Sequence, residues 1–131
     1  MDTSLVILVV EDVVFIQHLA EETLREGGFA VVAASSGEQA VELLDAPDHL
    51  NFRALVTDIN LGTGKLTGWD VARHAREVTQ DLAIVYTTSD SAGEWASQGA
   101  PNSILLTKPS APAQLITAVS QLMNASIPPA T

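Results

Sequence analysis

Two periodicities alternate along the chain. The run LVILVV at Leu5–Val10 has no polar break, as in a strand covered on both faces of a parallel sheet. It is followed by Ile16, Leu19, Thr23 and Leu24 at helical spacing, closed by Gly27-Gly28. Ala30–Ala34 is a second short strand, after which Ser36 and Gln39 have the spacing of a capping box for a helix carrying Ala40, Val41 and Leu44, with Pro47 just past its end. Ala54–Thr57 predicts a third strand ending at Asp58, and Val71, Ala75 and Val78 a third helix. Ala83–Tyr86 predicts a fourth strand, Ala92–Gln98 a short helix, and Ser103–Thr107 a fifth strand. Pro112 opens a last helix with Leu115, Ile116, Val119, Leu122 and Met123 on one face; residues 126–131 lose the pattern and are expected to fray.

Five β-then-α units in sequence predict one α/β domain over residues 1–125, with a parallel sheet, right-handed crossovers and helices on both faces. A length of 131 residues, 47% of them hydrophobic, suits one such domain. No apolar run approaches the ~20 residues of a membrane span, and Leu5–Val10 leads into acids rather than a cleavage site. With no cysteine there is neither a disulfide framework nor a thiolate metal site, which makes a cytoplasmic location the default. The formal net charge of −10, with six scattered basic residues, argues against nucleic acid as a partner.

In parallel α/β sheets, sites form at the carboxyl ends of strands. Glu11 and Asp12 follow the first strand, Asp58 the third, Thr87 the fourth, and Lys108 the fifth. Three carboxylates crowded in one cleft repel each other, and a hard divalent cation such as Mg²⁺ resolves the conflict while leaving positions for phosphate oxygens. One carboxylate can then attack phosphorus while the cation and Lys108 neutralise the phosphoryl oxygens, giving an acyl phosphate, with the Thr87 hydroxyl as a donor. The stretch from Val56 to Gly68, VTDINLGTGKLTG, also suggests a phosphate-binding glycine loop. That reading fails twice: ending the motif at Gly64-Lys65 puts Ile59 at the first glycine and Leu66 at the hydroxyl. The glycines then describe a flexible loop beside the cleft, with Lys65 exposed.

Glu11-Asp12, Asp58, Gly68 on the following loop, Thr87 and Lys108-Pro109, in this order and at these intervals, resemble the receiver domain of two-component response regulators from Leu5 to about Met123. The resemblance implies a flavodoxin-like (βα)5 doubly wound sheet of order 2-1-3-4-5. It also implies that Asp58 is the phosphoacceptor, that Asp12 binds Mg²⁺ (or Mn²⁺) directly and Glu11 through water, and that the Asn60 backbone carbonyl is a further ligand. Thr87 and Lys108 would contact the phosphoryl group, and Pro109 would follow a cis peptide bond. A sensor histidine kinase or histidine phosphotransfer protein would be the donor, and the output a contact with another protein, a phosphorylation-dependent homodimer, or onward transfer by a stand-alone receiver.

Four positions depart from the family pattern. The loop from Asp58 to Gly68 is about two residues longer, with Gly62 where proline is common. Thr88 stands where alanine or glycine is preferred, and would narrow access to the phosphoryl group. Leu105 replaces a switching aromatic residue, and Ser110 the aromatic that often follows Lys-Pro. These departures keep alive a second reading, a receiver-like module that binds a partner without phosphorylation. A third, an aspartyl-phosphate phosphatase of the haloacid-dehalogenase type, needs an acid where Asn60 stands and an acceptor on the first strand. Taken singly, Glu11-Asp12 would be helix-dipole partners and Thr87 and Lys108 surface groups. His18, His49 and His74 read as solvent-facing, Trp69 as a packing residue and Trp95 as a contact for a partner. Asn124-Ala125-Ser126 matches a glycosylation sequon that has no meaning without a secretory signal.

Overall fold

A computed structural model describes residues 6–46, 52–62, 64–89, 95–108 and 111–125. Leu5, Pro47, His49, Pro109, Ser110 and the tail 126–131 lie outside the described residues, as do the first residues expected in the fourth helix. The elements in chain order are β1 (Val6–Val10), α1 (Val14–Glu26), β2 (Ala30–Ala34), α2 (Gly37–Asp45), β3 (Phe52–Asp58), α3 (Gly68–Val78), β4 (Ala83–Thr88), α4 (Trp95–Gln98), β5 (Ser103–Thr107) and α5 (Pro112–Ala125). All strand pairs are parallel, in the order β2-β1-β3-β4-β5. The direction of winding reverses between β1 and β3, so the crevice between their carboxyl ends is the topological switch point.

Side chains alternate across the strands and build a core on each face. Ile7, Val9, Ala54, Val56, Ala83 and Val85 pack with Leu24 of α1 and with Leu115, Val119 and Met123 of α5. Val6, Leu8, Val10, Leu55, Ile84 and Tyr86 pack with Ala40 and Leu44 of α2 and with Val71, Ala72 and Ala75 of α3. Central β1 is buried along its whole length, which is why its sequence has no polar break.

Several local details differ from the sequence expectation. The third strand begins at Phe52 rather than Ala54, because the register with β1 slips: Val6 pairs with Phe52 and Ile7 with Ala54, leaving the exposed Arg53 as an extra residue that interrupts the apolar run. Ser36 does cap α2, accepting from the Gln39 amide at 3.1 Å, but the Gln39 side chain accepts from Ser35 N at 2.8 Å instead of closing the box. A complete capping box opens α3, where Thr67 accepts from Asp70 N at 3.3 Å and Asp70 accepts from Thr67 N at 2.9 Å. Leu19, aligned with the packing face of α1, is 47% exposed.

The start of α3 is pressed against the end of β3. Gly68 N donates to Ile59 O at 2.9 Å, and a Cβ on Gly68 would run into the Asp58 carbonyl oxygen and lie 2.8 Å from Ile59 Cα. Helix propensity favours alanine over glycine by about 1 kcal/mol, whereas a forced contact in a packed site costs roughly 1–3 kcal/mol. The contact is with backbone, which cannot swing away. Gly68→Ala is therefore expected to lower the urea midpoint of unfolding, and a raised midpoint would show that propensity wins.

Candidate functional site

The acid cleft is assembled from strand ends. Glu11 and Asp12 follow β1, Asp58 ends β3 beside the switch point, Thr87 lies opposite Asp58 in register on β4, and Lys108 follows β5. Backbone hydrogen bonds tie these ends together: Glu11 N to Ala34 O at 3.1 Å, Ile59 N to Thr87 O at 3.0 Å and Lys108 N to Thr88 O at 2.7 Å. Glu11, Asp58, Thr87 and Lys108 are thus placed by the sheet ladder rather than by a free loop.

Lys108 Nζ bridges two of the acids, 2.7 Å from Glu11 Oε1 and 3.3 Å from Asp58 Oδ2. Carboxylate oxygens of Glu11, Asp12 and Asp58 lie within 4.8 Å of one another, the one such group among the described residues. Burial raises the pKa of both Glu11 and Asp58; their attraction to Lys108 opposes this, and their neighbouring carboxylates add to it. For Lys108 burial acts to lower the pKa, but the hydrogen bond to Glu11 and the charge of Asp58 outweigh it and the ammonium is held above its ordinary value. One ammonium therefore serves a cluster of three acids. The donor set is all oxygen, crowded and short of positive charge, which fits a hard divalent cation and not a soft one.

Asn60 follows at the exposed edge of the crevice, and its amide donates to Asp58. Gly62 N donates to Asp12 Oδ2 at 3.0 Å. Beside the cleft, an apolar cavity of about 430 Å³ runs between α1 and the start of α5; Glu11, Thr87 and Lys108 border it. Thr88 is fully buried. Strand alternation places it on the Tyr86 face of β4, inside the core instead of at the cleft mouth. Leu105 is half-buried in that same core, paired across the ladder with Tyr86.

The fold and this strand-end geometry can be set beside known proteins. The model of the response regulator receiver domain family matches residues 7–120. The chain belongs to that family. A response regulator receiver protein from Sinorhizobium medicae WSM419 is 44% identical, with a TM-score of 0.90 over 95% of this chain and 98% of that one. A sensor protein from Polaromonas sp. JS666 is 27% identical, with a TM-score of 0.78 over 94% of this chain and 98% of that one. The receiver domain of the sensor histidine kinase PA1611 from Pseudomonas aeruginosa PAO1, solved with a magnesium ion coordinated in its active-site cleft, is 24% identical, with a TM-score of 0.78 over 93% of this chain and 99% of that one. A search of curated proteins returned no match. The chain is thus a signalling receiver with an acidic, metal-suited cluster, and not a stand-alone enzyme. Among the described residues no helix is long and apolar enough to cross a membrane.

Some supports of this receiver's site were not read from the sequence. Gln17 is buried, and its Nε2 donates to Glu11 O at 3.0 Å and Ala34 O at 3.1 Å, fastening the acidic turn to β2. Its place with Ala20 and Leu24 on one helix face was the available signal. Glu11 Oε2 accepts from Val13 N at 3.2 Å, closing the turn that leads into α1. Tyr86 is fully buried, its ring centroid 4.7 Å from that of Trp69, and its hydroxyl accepts from Ala100 N at 3.0 Å. Trp69 is the packing residue expected. Trp95 is 37% exposed, with its Nε1 donating to Ser103 Oγ at 3.0 Å. His18 is exposed, whereas His74 is half-buried and 2.7 Å from Asp45 Oδ1.

The raised Asp58 pKa has a stability consequence. A carboxyl that binds its proton more tightly in the folded state favours folding at low pH and loses that contribution as the pH rises through the folded value. At neutral pH, metal-free Asp58→Asn is therefore expected to melt above the parent. The gap should close as the pH is lowered and the parent's Asp58 takes up its proton. Thermal melts in chelator across pH 5 to 8 check this; a less stable Asp58→Asn at neutral pH would show that the Lys108 pairing dominates.

Proposed function

We propose that this receiver accepts a phosphoryl group on Asp58 from a phosphohistidine donor, a sensor histidine kinase or a histidine phosphotransfer protein, in a reaction that requires a divalent cation, Mg²⁺ or in its place Mn²⁺. The single observation that carries this reading is the buried Asp58 carboxylate held among two further acids and one ammonium at the switch point. An Asp58 oxygen attacks phosphorus, the bond from phosphorus to the donor imidazole breaks, and the imidazole nitrogen keeps the electron pair and takes a proton. The product is an acyl phosphate.

Asp12 and Asp58 would hold the cation directly, Glu11 through water, and the Asn60 carbonyl would complete the protein ligands. Bound there, a divalent cation offsets the charge that develops on the phosphoryl oxygens. The magnesium seen in the P. aeruginosa receiver supports that choice. Lys108, already 3.3 Å from Asp58 Oδ2, would exchange its carboxylate contact for a phosphoryl oxygen. Thr87, across the ladder from Asp58, would donate its hydroxyl to the phosphoryl group. Thr88, one residue on, points into the opposite core and meets the site through its carbonyl, which accepts from Lys108 N. The added group carries about −1.5 to −2 charges and draws the Thr87 loop and Lys108 together. With Leu105 in place of an aromatic ring, this pull and not a ring rotation would reshape the β4–β5 surface for a protein partner.

Intact mass after incubation with acetyl phosphate tests the assignment. One added phosphoryl group is expected with Mg²⁺, and none in chelator or in Asp58→Asn. Lys108→Ala should still accept the group but lose most of the accompanying change in the amide NMR spectrum. Of the two threonines, Thr87→Ala should reproduce that loss and Thr88→Ala should not. Phosphorylation of Asp58→Asn at the same site would overturn the assignment, and an unmodified parent with an intact cleft would favour a phosphorylation-independent binding module.

A further inference from the structure

The glycine-rich loop between β3 and α3 reads from the sequence as free chain, yet it is held from an unexpected side. Glu38, in the first turn of α2, accepts from Lys65 N at 2.8 Å and from Leu66 N at 3.3 Å through the same Oε2. The partners are 27 and 28 residues away in sequence, so this is a tertiary clamp and not a helix cap. The hydrogen bond from the Lys65 amide holds the Glu38 carboxyl below its ordinary pKa, so it accepts as a carboxylate at neutral pH.

The surroundings are shaped to this contact. Gly64 has φ of +84°, and a Cβ there would run into Glu38 Oε1 and lie 2.9 Å from its Cδ. Gly37, beside Glu38, lets α2 come so near the loop that a Cβ would be 2.7 Å from Leu66 Cβ. Two residues before Gly64, Gly62 donates its N–H to Asp12 Oδ2 at 3.0 Å, and a Cβ on Gly62 would sit 2.9 Å from that oxygen. The loop is therefore clamped at one end by Glu38 and at the other holds a carboxylate of the acid cluster.

We propose that Glu38 is a positioning residue for the cation site: by clamping the Lys65 and Leu66 amides it sets the place of the Gly62 N–H, which fixes the orientation of the half-exposed Asp12 carboxylate toward Glu11 and Asp58. Asp12 is the member of the cluster with the most freedom, because Glu11 and Asp58 are buried and share Lys108 while Asp12 is more open. Pre-orienting it lowers the ordering cost that cation binding would otherwise carry. The inference rests on the reading of the cleft as a cation site.

The test uses Mg²⁺ alone, with calorimetric titration of the folded protein and amide exchange in chelator as separate readouts. Glu38→Ala is expected to weaken Mg²⁺ about tenfold, in the range found when groups that orient metal ligands are removed. Amide exchange in metal-free protein should quicken at Lys65, Leu66 and Gly62 and not at β1 or β3. Gly64→Ala, which displaces the Glu38 carboxylate without removing it, should weaken Mg²⁺ in the same direction. The double variant should be no weaker than the worse single one. Glu38→Gln keeps an oxygen acceptor and should recover most of the affinity. A folded Glu38→Ala that binds Mg²⁺ within twofold of the parent overturns the positioning role while leaving the cation-site reading intact. A parent that binds no Mg²⁺ overturns both.

Discussion

The crowding of three carboxylates around one ammonium is the constraint on which the rest of this structure depends. Glu11 and Asp58 are buried, and each pulls on the same Lys108 nitrogen. Burial raises their pKa values and the neighbouring carboxylates add to the rise, so in the absence of a cation the cluster carries electrostatic strain. Lys108 offsets part of that strain, and the surrounding scaffold holds the acids in place. The five-stranded ladder fixes where each strand ends, and two apolar cores, one on each face, fix the ladder. The cluster held this way is all oxygen and suited to a hard divalent cation, and its two buried members are already in place.

Much of this was legible in the sequence because the signal lies in long patterns. The unbroken run in β1, the periodic face of α5 and the placement of Glu11, Asp12, Asp58, Thr87 and Lys108 after successive strands need only the alternation of elements to be interpreted. What was not legible depends on contacts between distant residues. Arg53 hides the start of β3 because a bulge, visible only once β1 is paired, takes it out of the alternation. Gln17 and Glu38 are ordinary helix residues by type, and nothing local says that one is buried under the acidic turn or that the other reaches backbone 27 residues on.

The glycine loop shows how this matters for function. Gly62, Gly64 and Gly68 look alike in sequence, yet each answers a different demand. Gly68 leaves room for the end of β3, Gly64 adopts a left-handed conformation against Glu38, and Gly62 comes within hydrogen-bonding distance of Asp12. Similarly, Thr87 and Thr88 are adjacent hydroxyls that strand alternation sends to opposite faces of the sheet. Tyr86 is fully buried beside Leu105, its partner across the ladder on β5.

If the acid cluster takes a cation, binding should relieve its charge conflict and stabilise the fold. The most direct measurement is the melting temperature of the parent and of Asp12→Asn as Mg²⁺ is raised at constant ionic strength. The parent's melting temperature is expected to rise with saturation of one site and to fall back in chelator, with a nearly flat curve for Asp12→Asn. Equal curves for the two proteins, or no rise in the parent, would contradict it.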